Sequence, residues 1–167
     1  IAECLNAGAD VVVTGRVTDA SLVLGPAAAH FGWARTSYDE LAGAVVAGHV
    51  IECGTQATGG NYAFFGEITD LRHAGFPIAE VHADGSSVIT KHPGTGGAVS
   101  VGTVTAQLLY EIGGARYAGP DVTARFDTIT LADAGPDRVR ISGVRGEAPP
   151  PTLKVGLNTL GGFRNEV

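Results

Sequence analysis

The sequence predicts a mixed α/β fold, with helix–strand alternation in the first half and β-hairpins in a strand-rich second half. Three observations carry this prediction. Helical patterning fills much of the first half and is absent after Tyr110. A β-branched run, Val11 to Val13, follows a glycine-terminated helix. From Asp121 onward the apolar residues alternate with a period of two, between turn residues.

Residues Ile1 to Ala7 read as a helix stopped by Gly8, and Val11–Val13 as a strand apolar on both faces, central and buried in a sheet. Asp19 is placed to cap the next helix, which Gly25-Pro26 breaks, with another beginning near Ala27. Ser37 and Glu40 have capping-box spacing ahead of a helix from Asp39 to about Ile51. Gly43 and Gly48 inside it each cost about 1 kcal/mol relative to alanine, which predicts close packing on their face. Ile78 to His82 and Ser87 to Lys91 flank Asp84-Gly85 as a β-hairpin. A glycine-rich loop from His92 to Gly97 leads into a helix from about Ser100 to Tyr110, stopped by Gly113-Gly114. Thr123 to Leu131 and Val139 to Val144 read as strands around the turn Gly135-Pro136-Asp137, and Pro149 to Pro151 separate them from Leu153 to Leu157.

Composition narrows the function classes. The 167 residues are 44% hydrophobic and 17% charged, enough for one domain with a real core. No apolar run approaches the roughly 20 residues that cross a bilayer, and no signal segment opens the chain, so a cytoplasmic protein without membrane partners is expected. The net charge of −6, from 17 acidic and 11 basic residues, argues against nucleic acid as a partner. Cys4 and Cys53 make neither a disulfide framework nor a zinc site, and the five histidines lack metal-ligand spacing, so no metal is assigned. Residues 1–167 read as part of one domain cut at both ends, because Ile1 opens within a helix and Val167 closes without a polar tail. Apolar faces left uncovered by such cuts would make the piece associate, as a homo-oligomer.

Three loops are candidate sites. In His92–Gly97 the glycines free backbone N–H groups ahead of a helix N-terminus, and Lys91 and His92 add charge; Gly94, Thr95, Gly96 and Gly97 would cradle phosphate. The alternative is a tight strand-to-helix turn capped by Thr95 or Ser100. In Gly54–Asn61, Gln56, Thr58 and Asn61 supply uncharged donors and acceptors beside Tyr62, Phe64 and Phe65, a mixture suited to an acyl or carboxylate ligand; the alternative is an ordinary loop bonding its own backbone. Third, Arg16, Thr18, Asp19 and Ser21 follow the Val11–Val13 run, where open α/β sheets collect ligands. Arg16 would clamp an anion and Asp19 act as a base, against a simple Arg16–Asp19 pair and helix cap. Cys53 with His49 one helical turn before it is a weaker pair, and an inert buried thiol is the plainer reading. Glu52, Glu67, Asp70 and Glu111 read as surface charges, none paired for acid–base work.

The stretches VVVTGRVTDASLVLGP, AGHVIECGTQATGGNYAFF, ADGSSVITKHPGTGGAVSVGTVTAQLLYEIG, GPDRVRISGVRGEAPP and GLNTLGGFRNE resemble the acyclic terpene utilisation protein A (AtuA) family, nearly along the whole chain and in order. The family's members are longer, and they are encoded beside enzymes that degrade citronellol and geraniol through acyl-CoA intermediates. The resemblance therefore implies an enzyme on a branched, unsaturated acyl-CoA, of hydratase or lyase type, with coenzyme A entering as part of the substrate. The competing reading is a noncatalytic acyl-CoA-binding or scaffold subunit of a carboxylase-linked pathway. It brings no catalytic residues with it, so Arg16, Asp19 and His92 as catalytic groups rest on the loops alone.

Overall fold

The computed structural model describes residues 1–162. The stretch GLNTLGGFRNE runs past this range, and its residues 163–166 lie outside the described residues. The helices are α1 (Ala2–Asn6), α2 (Ser21–Phe31), α3 (Tyr38–Ile51) and α4 (Val101–Leu109). Among the described residues, seven strands make two antiparallel sheets. One has the order β1 (Pro77–Val81), β2 (Ser87–Lys91), β6 (Val139–Ser142), β5 (Thr130–Asp133). The other has the order β3 (Arg116–Ala118), β4 (Thr123–Arg125), β7 (Arg145–Glu147). The fold is mixed α/β, with helices mostly in the first half and strands in the second.

Helix α3 is the centre. Every residue from Leu41 to Val50 is buried, and a helix without a polar face must be covered all round. Helices α2 and α4 pack on it, as do β1 and β2 from one sheet and β4 and β7 from the other. Val46 and Val50 meet Ile89, Val104, Val122, Val139 and Ile141 in the core cluster. The glycines of α3 permit this covering. A side chain at Gly43 would collide with the carbonyl of Gly85 in the β1–β2 turn, and a Cβ at Gly48 would lie 2.7 Å from the Cα of Ala20.

The hairpin forms as its Asp-Gly turn predicts, pairing Ile78 with Thr90 and Val81 with Ser87. Asp84 closes the turn by accepting from the Ser86 amide at 3.0 Å. Helix α4 begins behind a reciprocal cap, in which Ser100 accepts from the Thr103 amide and Thr103 accepts from the Ser100 amide.

Several expectations are corrected. Val11–Val13 is not a strand; Val11 is 80% and Val13 91% exposed, and no described segment pairs with them. Both sheets are antiparallel, so there is no parallel-sheet carboxyl edge behind Arg16. Helix α2 runs through Pro26 instead of breaking, and Ile1 packs so closely on Gly25 that a Cβ there would lie 2.6 Å from it. Ser37 precedes α3 without a capping bond, and Ala20, not Asp19, is the residue before α2. The alternating run Thr123–Leu131 is two strands: the turn Phe126–Thr128 carries the chain from one sheet to the other, held by Thr128 Oγ1 donating to the Arg125 carbonyl at 2.8 Å. At Gly143, with φ of 74°, the chain crosses back into β7. Leu153–Leu157 forms no strand.

Candidate acid–base site

The end of α3 presents His49, then Glu52 and Cys53. Ala20 rests on Gly48, one helical turn before Glu52, and this contact brings the neighbouring Asp19 over the end of α3. Glu52 is 13% exposed at its side chain. Its pKa is pushed up to about 7, first by burial, then by its hydrogen bond to Asp19, by the Asp19 charge and by Glu111. Both the hydrogen bond and the Asp19 charge favour the protonated form of Glu52.

Glu111 reaches the cluster from beyond α4 with φ of 58°, a left-handed conformation that costs a side-chain-bearing residue on the order of 1 kcal/mol. The neighbouring Tyr110 hydroxyl interacts with the Glu111 carboxylate, whose charge raises the Tyr110 pKa. Strain held beside a group of carboxyls is a common mark of a working site.

His49 lies beneath, 4% exposed. Burial lowers its pKa, against the opposing pull of the Gln107 and Tyr110 carbonyls, so the ring is neutral at pH 7. Its Nε2 donates to the Gln107 carbonyl at 3.1 Å, while Nδ1 stands 3.4 Å from Glu52 Oε1. Gln107, fully buried, donates through Nε2 to the His49 carbonyl at 3.3 Å, so the two residues tie α3 to α4. Tyr117 and Phe126 flank the ring at 6.1 and 5.8 Å. The Cys53 thiol is pushed up, chiefly by burial and then by the Glu52 charge, which leaves it a protonated, poor nucleophile. Among the described residues no group of three His, Cys, Asp or Glu side chains is arranged to hold a metal ion.

The sequence-predicted residues separate into two places. Asp19 joins the cluster, and the Gln56 side chain reaches Tyr110 with its own Oε1 buried and unpartnered. Thr18 and Ser21, hydroxyls 2.5 Å apart, line an open groove of about 840 Å³ with Glu111, Tyr117, Arg116 and Lys154. Arg16 is exposed and forms no ion pair among the described residues. The other group lies around His92–Gly97. There the amides of Thr95, Gly96 and Gly97 already donate to the carbonyls of His92, His73 and Thr69. Lys91 is buried, donating to the Thr95 carbonyl at 2.8 Å and pairing with Asp137 at 3.1 Å. A side chain at Gly96 would strike the Asp70 carbonyl. His92 is exposed beside the exposed Gly94. Thr58, wholly buried, donates to the Gly75 carbonyl at 2.7 Å, and Asn61 donates to the Ala106 carbonyl at 3.4 Å, so these side chains hold loops together. Glu52, read from sequence as a surface charge, is the residue that sequence reasoning missed, whereas Glu111 is exposed as that reading has it. The His49–Cys53 spacing pointed at the right end of α3, but to the wrong group.

A sequence model of the acyclic terpene utilisation family protein AtuA matches residues 1–167. The chain belongs to the AtuA family. No curated protein and no solved structure matches it significantly. Membership places this AtuA-family chain in acyclic terpene utilisation, and among its described residues no helix is long and apolar enough to cross a membrane.

Proposed function

We propose that this protein is an acid–base enzyme of acyclic terpenoid breakdown that adds water to, or removes it from, a branched unsaturated acyl-CoA. The observation that supports this best is the carboxyl pair Asp19–Glu52, in which Glu52 keeps a proton to about pH 7. A general acid is most effective with a pKa near working pH. In the hydration direction, Asp19 takes a proton from water, the hydroxide oxygen bonds to the β-carbon, the α,β double bond opens, and Glu52 delivers its proton to the α-carbon. Asp19 then holds a proton and Glu52 none, and transfer across the pair restores the starting state. Dehydration is the reverse. The groove beside Thr18 and Ser21 would take the acyl chain, with Arg116 and Lys154 at its rim facing the phosphates of coenzyme A. Arg116 is bonded to Glu147 at 3.1 Å but remains mostly exposed, so a stronger anion can draw it away.

The test is to incubate the full-length protein with geranyl-CoA and with its carboxylated product, and to follow the mass of one water gained or lost. Glu52→Gln and Asp19→Asn should each lower turnover by about 100-fold or more, the contribution of a positioned acid or base. Binding of the thioester without any mass change, equal in wild type and variants, would instead support the noncatalytic acyl-CoA-binding reading.

A further inference from the structure

We infer that the paired hydroxyls of Thr18 and Ser21 are a hydrogen-bond donor in the groove, holding the carbonyl oxygen of an acyl thioester whose chain lies along Leu24, Val45 and Val122. This rests on the acyl-CoA reading above and fixes where the polar end of the acyl group sits in its groove. The Ser21 amide donates to the Thr18 carbonyl at 2.9 Å as α2 begins, which sets the two side chains beside each other. Thr18 Oγ1 and Ser21 Oγ stand 2.5 Å apart and form no other hydrogen bond among the described residues. Two hydroxyls carry two hydrogens, and one of these fills the bond between them. The second is free to donate to a ligand in the groove that both residues line. A hydroxyl that already accepts one hydrogen bond donates another more strongly, so the pair suits a single oxygen acceptor.

The rest of the groove defines what carries that oxygen. Ser21 and Leu24 are three residues apart on α2 and share a face, so apolar surface begins beside the hydroxyls. Val45 of α3 and Val122 ahead of β4 continue it; both are buried in the core yet line the groove, and so form its floor. A hydrocarbon chain laid on this floor leaves water along its length. The charged side chains of the lining are Arg116, Lys154, Glu111 and Asp121, two of each sign, so the groove has no net charge to offer a carboxylate. A free acid bound at the hydroxyl pair would give up its hydration for one neutral donor. A thioester carbonyl needs only that one neutral donor, which makes the thioester, not the free acid, the ligand. Addition of hydroxide to the conjugated double bond also pushes negative charge onto this same oxygen, and a donor already placed there stabilises it.

The experiment is calorimetry on the full-length protein with geranyl-CoA and with its thioether analogue, in which a methylene replaces the carbonyl. Wild type should bind the thioester about three- to tenfold more tightly, the contribution of one hydrogen bond. In the double variant Thr18→Val with Ser21→Ala this preference should vanish through weaker thioester binding, with the thioether affinity unchanged. Each single variant should keep most of the preference, because the remaining hydroxyl still has a hydrogen to donate. Equal binding of the two compounds by wild type overturns the inference, and that measurement is independent of whether any variant folds. A double variant that weakens both compounds alike, or neither, overturns it as well. If wild type binds neither compound, the acyl-CoA reading itself fails; if it binds both alike, only the donor role of the hydroxyls does.

Discussion

Glu52 and His49 pull the pH dependence of stability in opposite directions. Glu52 binds its proton more tightly folded than unfolded, with about 7 against an ordinary 4.5. The stabilisation from that proton is complete below 4.5 and is lost as pH rises through 7. His49 has its pKa lowered from 6.5 by burial, so its contribution is complete above 6.5 and is lost as pH falls. Subtracting Glu52→Gln from wild type isolates the first effect. Denaturant unfolding between pH 5 and pH 8 should show the variant gaining on wild type as pH rises, by on the order of 2 kcal/mol. A gap that stays constant across this range would mean that Glu52 titrates normally. At this scale the sequence was partly legible. Asp19 and Gln56 announced themselves as polar residues in small-residue loops. Glu52 did not, because a carboxylate at a helix end looks solvated until the segments that bury it are placed. Nothing local in the sequence shows that Gly48, Ala20 and a left-handed Glu111 converge on one spot.

Among the elements, the approach of α2 to α3 decides whether the carboxyl pair exists. Gly48→Ala would put a Cβ 2.7 Å from the Ala20 Cα and 2.9 Å from its carbonyl oxygen, both backbone atoms that cannot rotate away. Overpacking of this kind costs roughly 1–3 kcal/mol, more than the ~1 kcal/mol that alanine gains over glycine in a helix. The variant should therefore be less stable despite its better helix propensity, and Asp19 should move off Glu52. Calorimetry and the Glu52 titration check the two halves: a more stable protein, or a Glu52 midpoint still near 7, would show that α2 adjusts without separating the pair. The same elements show what patterning can and cannot deliver. Helix α3, the hairpin β1–β2 and the capped start of α4 follow from local chemistry, namely small apolar residues in sequence, an Asp-Gly turn, and a Ser100–Thr103 box. Val11–Val13 has the composition of a strand, yet a strand exists only with a partner to receive its amides, and no described segment provides one. The run Thr123–Leu131 alternates throughout, and period alone does not reveal that Arg125, bonded to both Asp127 and Glu147, marks where it leaves one sheet for another.

Across the whole molecule, two sheets close on one helix, and the fastening of the three-stranded sheet to the start of α3 is narrow. A side chain at Gly146 in β7 would collide with the Tyr38 carbonyl, so strand and helix meet backbone to backbone. Asp39, in the first turn of α3, spans the join with both oxygens: Oδ1 accepts from the Gly146 amide at 2.8 Å and Oδ2 pairs with Arg145 at 2.6 Å. The Gly146 amide is the leading cause that holds the Asp39 pKa below the usual carboxylate range. The two bonds are not equal. Arg145 is 70% exposed at its side chain, and exposed ion pairs contribute roughly 0–1 kcal/mol. The amide bond lies at a half-buried join, and a charged acceptor removed there leaves a donor without a partner, at about 1–3 kcal/mol. Asp39→Ala should thus destabilise the fold by about 2 kcal/mol and Arg145→Ala by under about 1 kcal/mol. Asp39→Asn should fall between them, since its amide oxygen still accepts from Gly146 but carries no charge for Arg145 or for the positive end of α3. Chemical denaturation of the three variants at low and high salt separates the contributions. Only the Arg145 part should fade with salt, and equal losses for Asp39→Ala and Arg145→Ala would show that the ion pair, not the backbone amide, holds the sheet to the helix.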